Sequence, residues 1–303
     1  MTPVEKIQRE HGIVGREAEL AMALTVLGAG RHLLLEGPVG VGKTTVALAV
    51  CSHLGRDTVR VDGDERYSES KLTGWFDPPL VLRQGYREES FFPGPLVEAM
   101  REGRVLFINE LNRMPESVQN VLLPALDERL VKVPHIGEVR AAEGFQVVAT
   151  QNPVGYVASG HLSEALRDSF EHLALAYQPA AEESAIVVAE TGCDDAALVR
   201  TAVRLTRATR LHPRFRQGAS VRGAIATVAI AERLWSAAGD VCGSVSRETL
   251  RRAAEAALTT RVDLRDDIDA DFATALDELF ELVVDRGEDP DVALAPAAVS
   301  PRA

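Results

Sequence analysis

Gly37-Pro38-Val39-Gly40-Val41-Gly42-Lys43-Thr44 fits G-x-x-x-x-G-K-[ST] in full. Before it, Arg31-His32-Leu33-Leu34-Leu35-Glu36 is a short apolar run that reads as a buried strand. After it, Thr45-Val46-Ala47-Leu48-Ala49-Val50 opens a helix with Val46, Val50 and Leu54 on one face. Strand, glycine-rich loop and helix form the context in which this pattern cradles a phosphate chain. The glycines let backbone N–H groups wrap the phosphates, and the helix N-terminus adds partial positive charge. Gly37, Pro38, Val39, Gly40, Val41 and Gly42, with Thr45 just beyond, are the expected nucleotide contacts. Lys43 is expected to reach the β- and γ-phosphates, and Thr44 to hold Mg²⁺. The chain is expected to bind a nucleoside triphosphate.

The rest of the chain bounds this reading. Its 303 residues hold one large domain or two smaller ones, and a 46% hydrophobic content supplies a core. The net charge of −12 disfavours a general nucleic-acid binder, which needs a basic footprint. Cys51, Cys193 and Cys242 are odd in number and widely spaced, so neither a disulfide scaffold nor a cysteine zinc site is expected. The seven histidines form no H-E-x-x-H or other ligand pair and read as surface or satisfied core residues. Met1-Thr2-Pro3-Val4-Glu5-Lys6 carries no apolar core of a secretory signal, and no apolar run reaches bilayer length. A cytoplasmic location is therefore expected, with no membrane span.

Further along, Thr58–Asp62 reads as a second strand, Arg104–Asn109 as a third, Phe145–Thr150 as a fourth and Leu173–Tyr177 as a fifth. Residues 63–95 look irregular and are rich in Gly, Pro and aromatics. Pro115 stands at the first turn of a helix carrying Val118, Leu122 and Leu126, and Leu130–Arg140 looks like a hairpin. After Pro179 the strand signals stop and alanine-rich helical patterns run to about residue 284. The expected layout is an N-terminal extension at 1–11, an α/β core at 12–178, an all-helical domain at 180–284 and a disordered tail at 285–303.

Two strand ends add chemistry to the loop. The third ends in Asn109-Glu110, where phosphate-loop NTPases hold Mg²⁺ and place a carboxylate that polarises water. Glu110 fits the role of general base. The fourth ends in Gln151-Asn152, and a strand-end amide beside the γ-phosphate can orient the water or sense the phosphate. Read alone, Asn152-Pro153 is a turn signal.

Together these stretches resemble the MoxR group of AAA+ ATPases, from about Gly12 to Leu264. His11-Gly12-Ile13-Val14-Gly15-Arg16-Glu17 is similar to the group's opening segment, which implies that Val14 touches the adenine. Leu35 to Thr44 resembles its Walker A. Leu72-Thr73-Gly74 and Phe92-Pro93-Gly94-Pro95-Leu96 resemble its helix-2 insert region. Phe107 to Pro115 resembles its Walker B, and Ala149-Thr150-Gln151-Asn152-Pro153 its sensor 1 strand. Leu162 to Phe170 is similar to its arginine-finger segment, and Gly218-Ala219-Ser220-Val221-Arg222 to its sensor 2, which implies Arg222 at the γ-phosphate. The implied architecture is an AAA+ P-loop NTPase with a parallel five-stranded sheet core and a smaller all-α lid domain. The resemblance also implies a hexameric ring, a chaperone-like ATPase activity, and a protein partner that often carries a von Willebrand factor A domain.

Two positions depart from that pattern. The group's Walker B ends Asp-Glu, whereas here it ends Asn109-Glu110; Asn109 keeps an oxygen for the metal's shell but not the charge that favours Mg²⁺. The finger segment reads Asp168-Ser169-Phe170 in place of Asp-Arg-Phe, with Arg167 nearby as a substitute. Both departures point to slow hydrolysis with ATP binding kept. Three further readings stand beside the first: a nucleotide-binding ring scaffold that hydrolyses weakly or not at all, a DNA-acting AAA+ protein, and a small-molecule kinase, the last being the weakest.

Overall fold

In the computed structural model, residues 1–153, 161–237, 245–265 and 271–294 are described. Cys242 and the end of the expected tail, 295–303, lie outside them. The chain divides into two units, Met1–Ala176 and Tyr177–Ala303.

The first unit is built on a parallel sheet of five strands, in the spatial order Thr58–Asp62, Val105–Asn109, Gln146–Gln151, Leu33–Glu36, Glu171–Ala174. Central strands of such a sheet are covered on both faces, which demands continuous apolar runs. Val105, Leu106, Phe107 and Ile108 are accordingly fully buried, and every residue of Gln146–Gln151 is buried. The helices Glu17–Gly28, Lys43–His53, Pro95–Glu102 and Glu116–Asp127 accompany the sheet. Val118, Leu122 and Leu126 of the last are buried. Residues 3–11 form a helix started by a Thr2–Glu5 capping box.

Several elements differ from the sequence reading. Residues 63–95 are not irregular: Gly74–Phe76 pairs antiparallel with Phe91–Pro93, and helices run over Glu69–Thr73 and Pro78–Gln84. The helices have five and seven residues, too few to show a period, and are started by Ser68 and Asp77 side chains that accept backbone N–H bonds. The fifth strand is Glu171–Ala174, earlier than expected. It is an edge strand, and its exposed Glu171 and His172 hide its apolar signal.

The second unit packs the helices Ala180–Thr191, Ala196–Leu211, Val221–Ala237, Arg247–Leu258 and Phe272–Phe280 around one apolar cluster that includes Val187, Val203, Val228, Leu250 and Phe280. It is not all-helical, as the sequence suggested. Phe215–Gln217 pairs antiparallel with Asp263–Leu264, two strands too short to show alternation. Within it Glu183 is almost fully buried and pairs with Arg207 at 3.1 Å and Arg210 at 2.8 Å. Residues 290–293 form a helical turn with Pro290 buried, and Asp291 pairs with Arg207 at 2.6 Å, so this part of the expected tail is ordered by contacts.

Candidate functional site

The loop 37–42 leaves the carboxyl end of the interior Leu33–Glu36 strand, the edge where open α/β sheets place their ligands. It is shaped by close contact. A side chain at Gly37 would place its Cβ 2.2 Å from the Leu175 carbonyl oxygen. Gly42 caps the following helix with φ of +92°, which turns backbone N–H groups inward at the helix start. Arg16 braces the loop from outside. Its guanidinium donates to the carbonyls of Val41 at 3.0 Å and Ala176 at 2.7 Å, and pairs with Glu19 at 2.7 Å.

Lys43 is nearly buried and turned back over the loop. Its Nζ donates to the carbonyls of Gly37 at 2.6 Å and Pro38 at 2.8 Å, and to Asn152 Oδ1 at 2.9 Å. The loop lysine and the strand-end amide, far apart in sequence, thus meet at one point. Asn152 is held in turn by Asn112, whose Nδ2 donates to the Asn152 carbonyl at 3.2 Å. The Asn112 Oδ1 is buried without a hydrogen-bond partner among the described residues.

Thr44 makes the second link. Its Oγ1 donates to Asn109 Oδ1 at 3.2 Å, and Thr150 Oγ1 donates to the same oxygen at 3.0 Å. Asn109 Nδ2 donates to Asp62 Oδ1 at 3.0 Å. Asp62 also accepts from Arg60, and that bond, ahead of the one from Asn109, holds its carboxyl below the usual carboxylate range. The oxygens of Thr44 and Asn109 suit Mg²⁺, a hard cation that keeps several waters and takes its remaining ligands from phosphate. No cluster of three or more His, Cys, Asp or Glu able to hold a metal occurs among the described residues, so an all-protein metal cage is not what this site offers. Mg²⁺ there would neutralise phosphate charge, held by Thr44 directly and by Asn109.

Glu110 follows Asn109 at the end of the same strand, and its carboxylate is engaged by a neighbouring arginine. It adopts φ of +56°, unusual for a side chain with a Cβ, and its backbone N–H donates to Thr150 Oγ1 at 3.0 Å. Its carboxylate pairs with Arg113 at 2.8 Å, with both groups partly exposed. The remaining expected residues are more scattered. Val14 is half-buried next to Gly15, whose carbonyl accepts from Gln8 at 2.7 Å, and Thr45 is exposed on the first turn of the loop's helix. Val39 is exposed at the loop's tip, and Gly40 is the next residue, with φ of +77°. Arg167 is exposed on the Glu164–Asp168 helix and lines an open cleft with Glu36, Gln151 and His172. Ser169 donates to Asp127 at 2.7 Å and to the Ala165 carbonyl at 3.1 Å. Arg222 lies exposed in the first turn of Val221–Ala237, in the second unit.

The sequence reading gave no role to Arg16, Asp62, Asn112, Arg113 or Thr150. Asp62 has a readable signal, an acid that ends the second expected strand. The buried bonds of Arg16 and Asn112 have none, because neither residue belongs to a local pattern.

Comparison with known proteins agrees with this geometry. Residues 32–170 match the AAA domain family (dynein-related subfamily). The chain is 30% identical over 201 residues to the uncharacterised protein YojN of Bacillus subtilis, covering 64% of this chain and 65% of that one. It is 29% identical over 229 residues to the gas vesicle ATPase GvpN of Ancylobacter aquaticus, covering 70% and 64%. The chain therefore spans less than two thirds of the length of either relative. Among solved structures, the RuvB Holliday junction branch migration motor of Thermotoga maritima superposes with a TM-score of 0.54 at 18% identity, covering 93% of this chain and 85% of that one. A mutant of the same RuvB gives 0.55 at 19% identity, covering 80% and 71%. At that identity the likeness shows the fold, which is that of an AAA+ P-loop NTPase.

Proposed function

From a chain that carries an AAA domain on the AAA+ P-loop NTPase fold, we propose a MoxR-like ATPase that binds Mg²⁺-ATP and works as a ring on a protein partner. The observation that carries this reading is the meeting of Lys43 with Asn152 and of Thr44 with Asn109, which joins the phosphate loop to two neighbouring strand ends. Lys43 binds the phosphates as a point charge and Asn152 orients the attacking water. Glu110 takes the proton from that water once its carboxylate leaves Arg113. Val14 contacts the adenine, and Arg222 and an arginine finger complete the site in the assembled ring. The partner is a protein, with a von Willebrand factor A domain as the leading class. The likeness to GvpN of Ancylobacter aquaticus, a gas vesicle ATPase, supports ATP turnover.

A second reading is favoured by two observations. Glu110 is tied to Arg113, and Ser169 stands in the finger segment bonded to Asp127. Both suit a nucleotide-binding ring scaffold with weak or no hydrolysis. The RuvB likeness concerns the fold, and the acidic balance of the chain weighs against a DNA-acting role. Steady-state phosphate release by the purified protein, followed together with light scattering in ATP and Mg²⁺, tests the proposal. Turnover in an ATP-promoted oligomer supports the ATPase. An oligomer without turnover favours the scaffold, and monomers at tens of micromolar contradict the ring.

A further inference from the structure

The Thr44 end of the phosphate loop faces an amide where a carboxylate is expected, and that amide is bonded to an acid one strand away. Asp62 and Asn109 are register partners at the carboxyl ends of adjacent parallel strands. Partners in register project to the same face, so their side chains meet, with Asn109 Nδ2 donating to Asp62 Oδ1 at 3.0 Å. On its other side the Asn109 amide oxygen accepts from Thr44 and Thr150. A carboxylate can only accept hydrogen bonds and an amide nitrogen can only donate them. Asp62 therefore forces the Asn109 nitrogen toward itself and the oxygen toward Thr44.

We propose that Asp62 and Asn109 act as one unit in which the metal-favouring charge has moved from the Walker B strand to its neighbour. Asp62 supplies the negative charge behind Mg²⁺, and Asn109 relays it as a correctly oriented oxygen beside Thr44. The inference rests on the reading of the loop as a Mg²⁺-ATP site.

Three features support the unit. The chain after Asp62 is clamped to the Walker B end: Gly63 N–H donates to the Asn109 carbonyl at 2.7 Å, and a Cβ on Gly63 would lie 2.1 Å from the Glu110 carbonyl oxygen. Arg60 pairs with the Asp62 carboxylate at 2.9 Å, which restrains its rotamer. Finally, the pair has room for one charge only. An aspartate at 109 would place two carboxylates about 3 Å apart, where both do not ionise readily. Asn109 is then the necessary complement of Asp62.

The test measures ATP affinity by calorimetry across a Mg²⁺ titration and in EDTA, for the wild type, Asp62→Asn, Asn109→Asp and the exchange Asp62→Asn/Asn109→Asp. Outer-shell partners are typically worth 10–100-fold in metal affinity. Asp62→Asn should raise the Mg²⁺ concentration for half-maximal tightening about tenfold, without weakening binding in EDTA. Asn109→Asp alone should melt at a lower temperature without nucleotide, and the exchange should recover most of both losses. Asp62 is exposed, so its single variant is decisive even where Asn109→Asp fails to fold. A Mg²⁺ midpoint in Asp62→Asn equal to the wild type overturns the inference and leaves the loop reading intact. An exchange variant that folds yet tightens no better than Asp62→Asn also overturns it. A wild type that binds no ATP in either condition overturns the loop reading, and this inference with it.

Discussion

Lys43 and Asn152 are separated by 109 positions in sequence and joined by one hydrogen bond of 2.9 Å. The bond aims the loop's cation and the sensor-like amide at the same point. Asn152→Ala removes the amide and leaves the loop's own carbonyls to hold Lys43. ATP affinity should then change by less than about threefold, while turnover falls about tenfold or more. Equal losses in binding and turnover would mean that Asn152 only positions Lys43.

Glu110 is the expected base, and its carboxylate is paired with Arg113 at 2.8 Å. Glu110→Gln should lower turnover by about 10²–10⁴ with ATP affinity kept. Arg113→Ala should raise turnover by freeing the carboxylate. A fall in turnover on Arg113→Ala, measured under saturating ATP, would show that the ion pair belongs to the working site.

The finger position is open to direct repair. Ser169 bonds to Asp127, and an arginine placed there is neutralised in part by that acid. An arginine acting in trans is worth about 10³–10⁵ in rate, so even a partial gain is measurable. Ser169→Arg should raise turnover without altering oligomer size. If it has no effect while Arg167→Ala abolishes phosphate release, Arg167 is the finger.

His32 links the fold to pH. It is buried just before the Leu33–Glu36 strand, where its Nδ1 accepts from the Val147 N–H at 2.9 Å, and burial pushes its imidazole down to about 4. The unfolded chain takes up that proton near the ordinary value of 6.5, before the folded chain does. The stabilisation is therefore complete above about pH 6.5 and lost as pH falls from there toward 4, by about 3 kcal/mol in all. Denaturant melts across that range should show this slope. His32→Asn keeps an acceptor for Val147 and should flatten it; an unchanged slope would assign it to other groups.

Much of this site was legible because its parts are local. The phosphate loop is eight contiguous residues, and the Thr58–Asp62 and Val105–Asn109 strands announce themselves by apolar runs. What escaped is what depends on register and backbone shape. Asp62 meets Asn109 only because two strands align, and Glu110 turns to Arg113 only because its backbone takes a positive φ. The strands at 215–217 and 263–264 escaped because two or three residues carry no period. Glu183 reads as one more charge on a helix surface, yet it is buried between two arginines.

On the proposed reading, the loop at 37–44 binds the phosphates of ATP through Lys43. Calorimetric titration of ATP with Mg²⁺ into the wild type and Lys43→Ala tests it most directly. Binding by the wild type and a loss of at least about tenfold in the variant, equivalent to about 1.4 kcal/mol, is the expected result. Equal affinity in the two proteins, with both folded, would mean that Lys43 does not hold the phosphates.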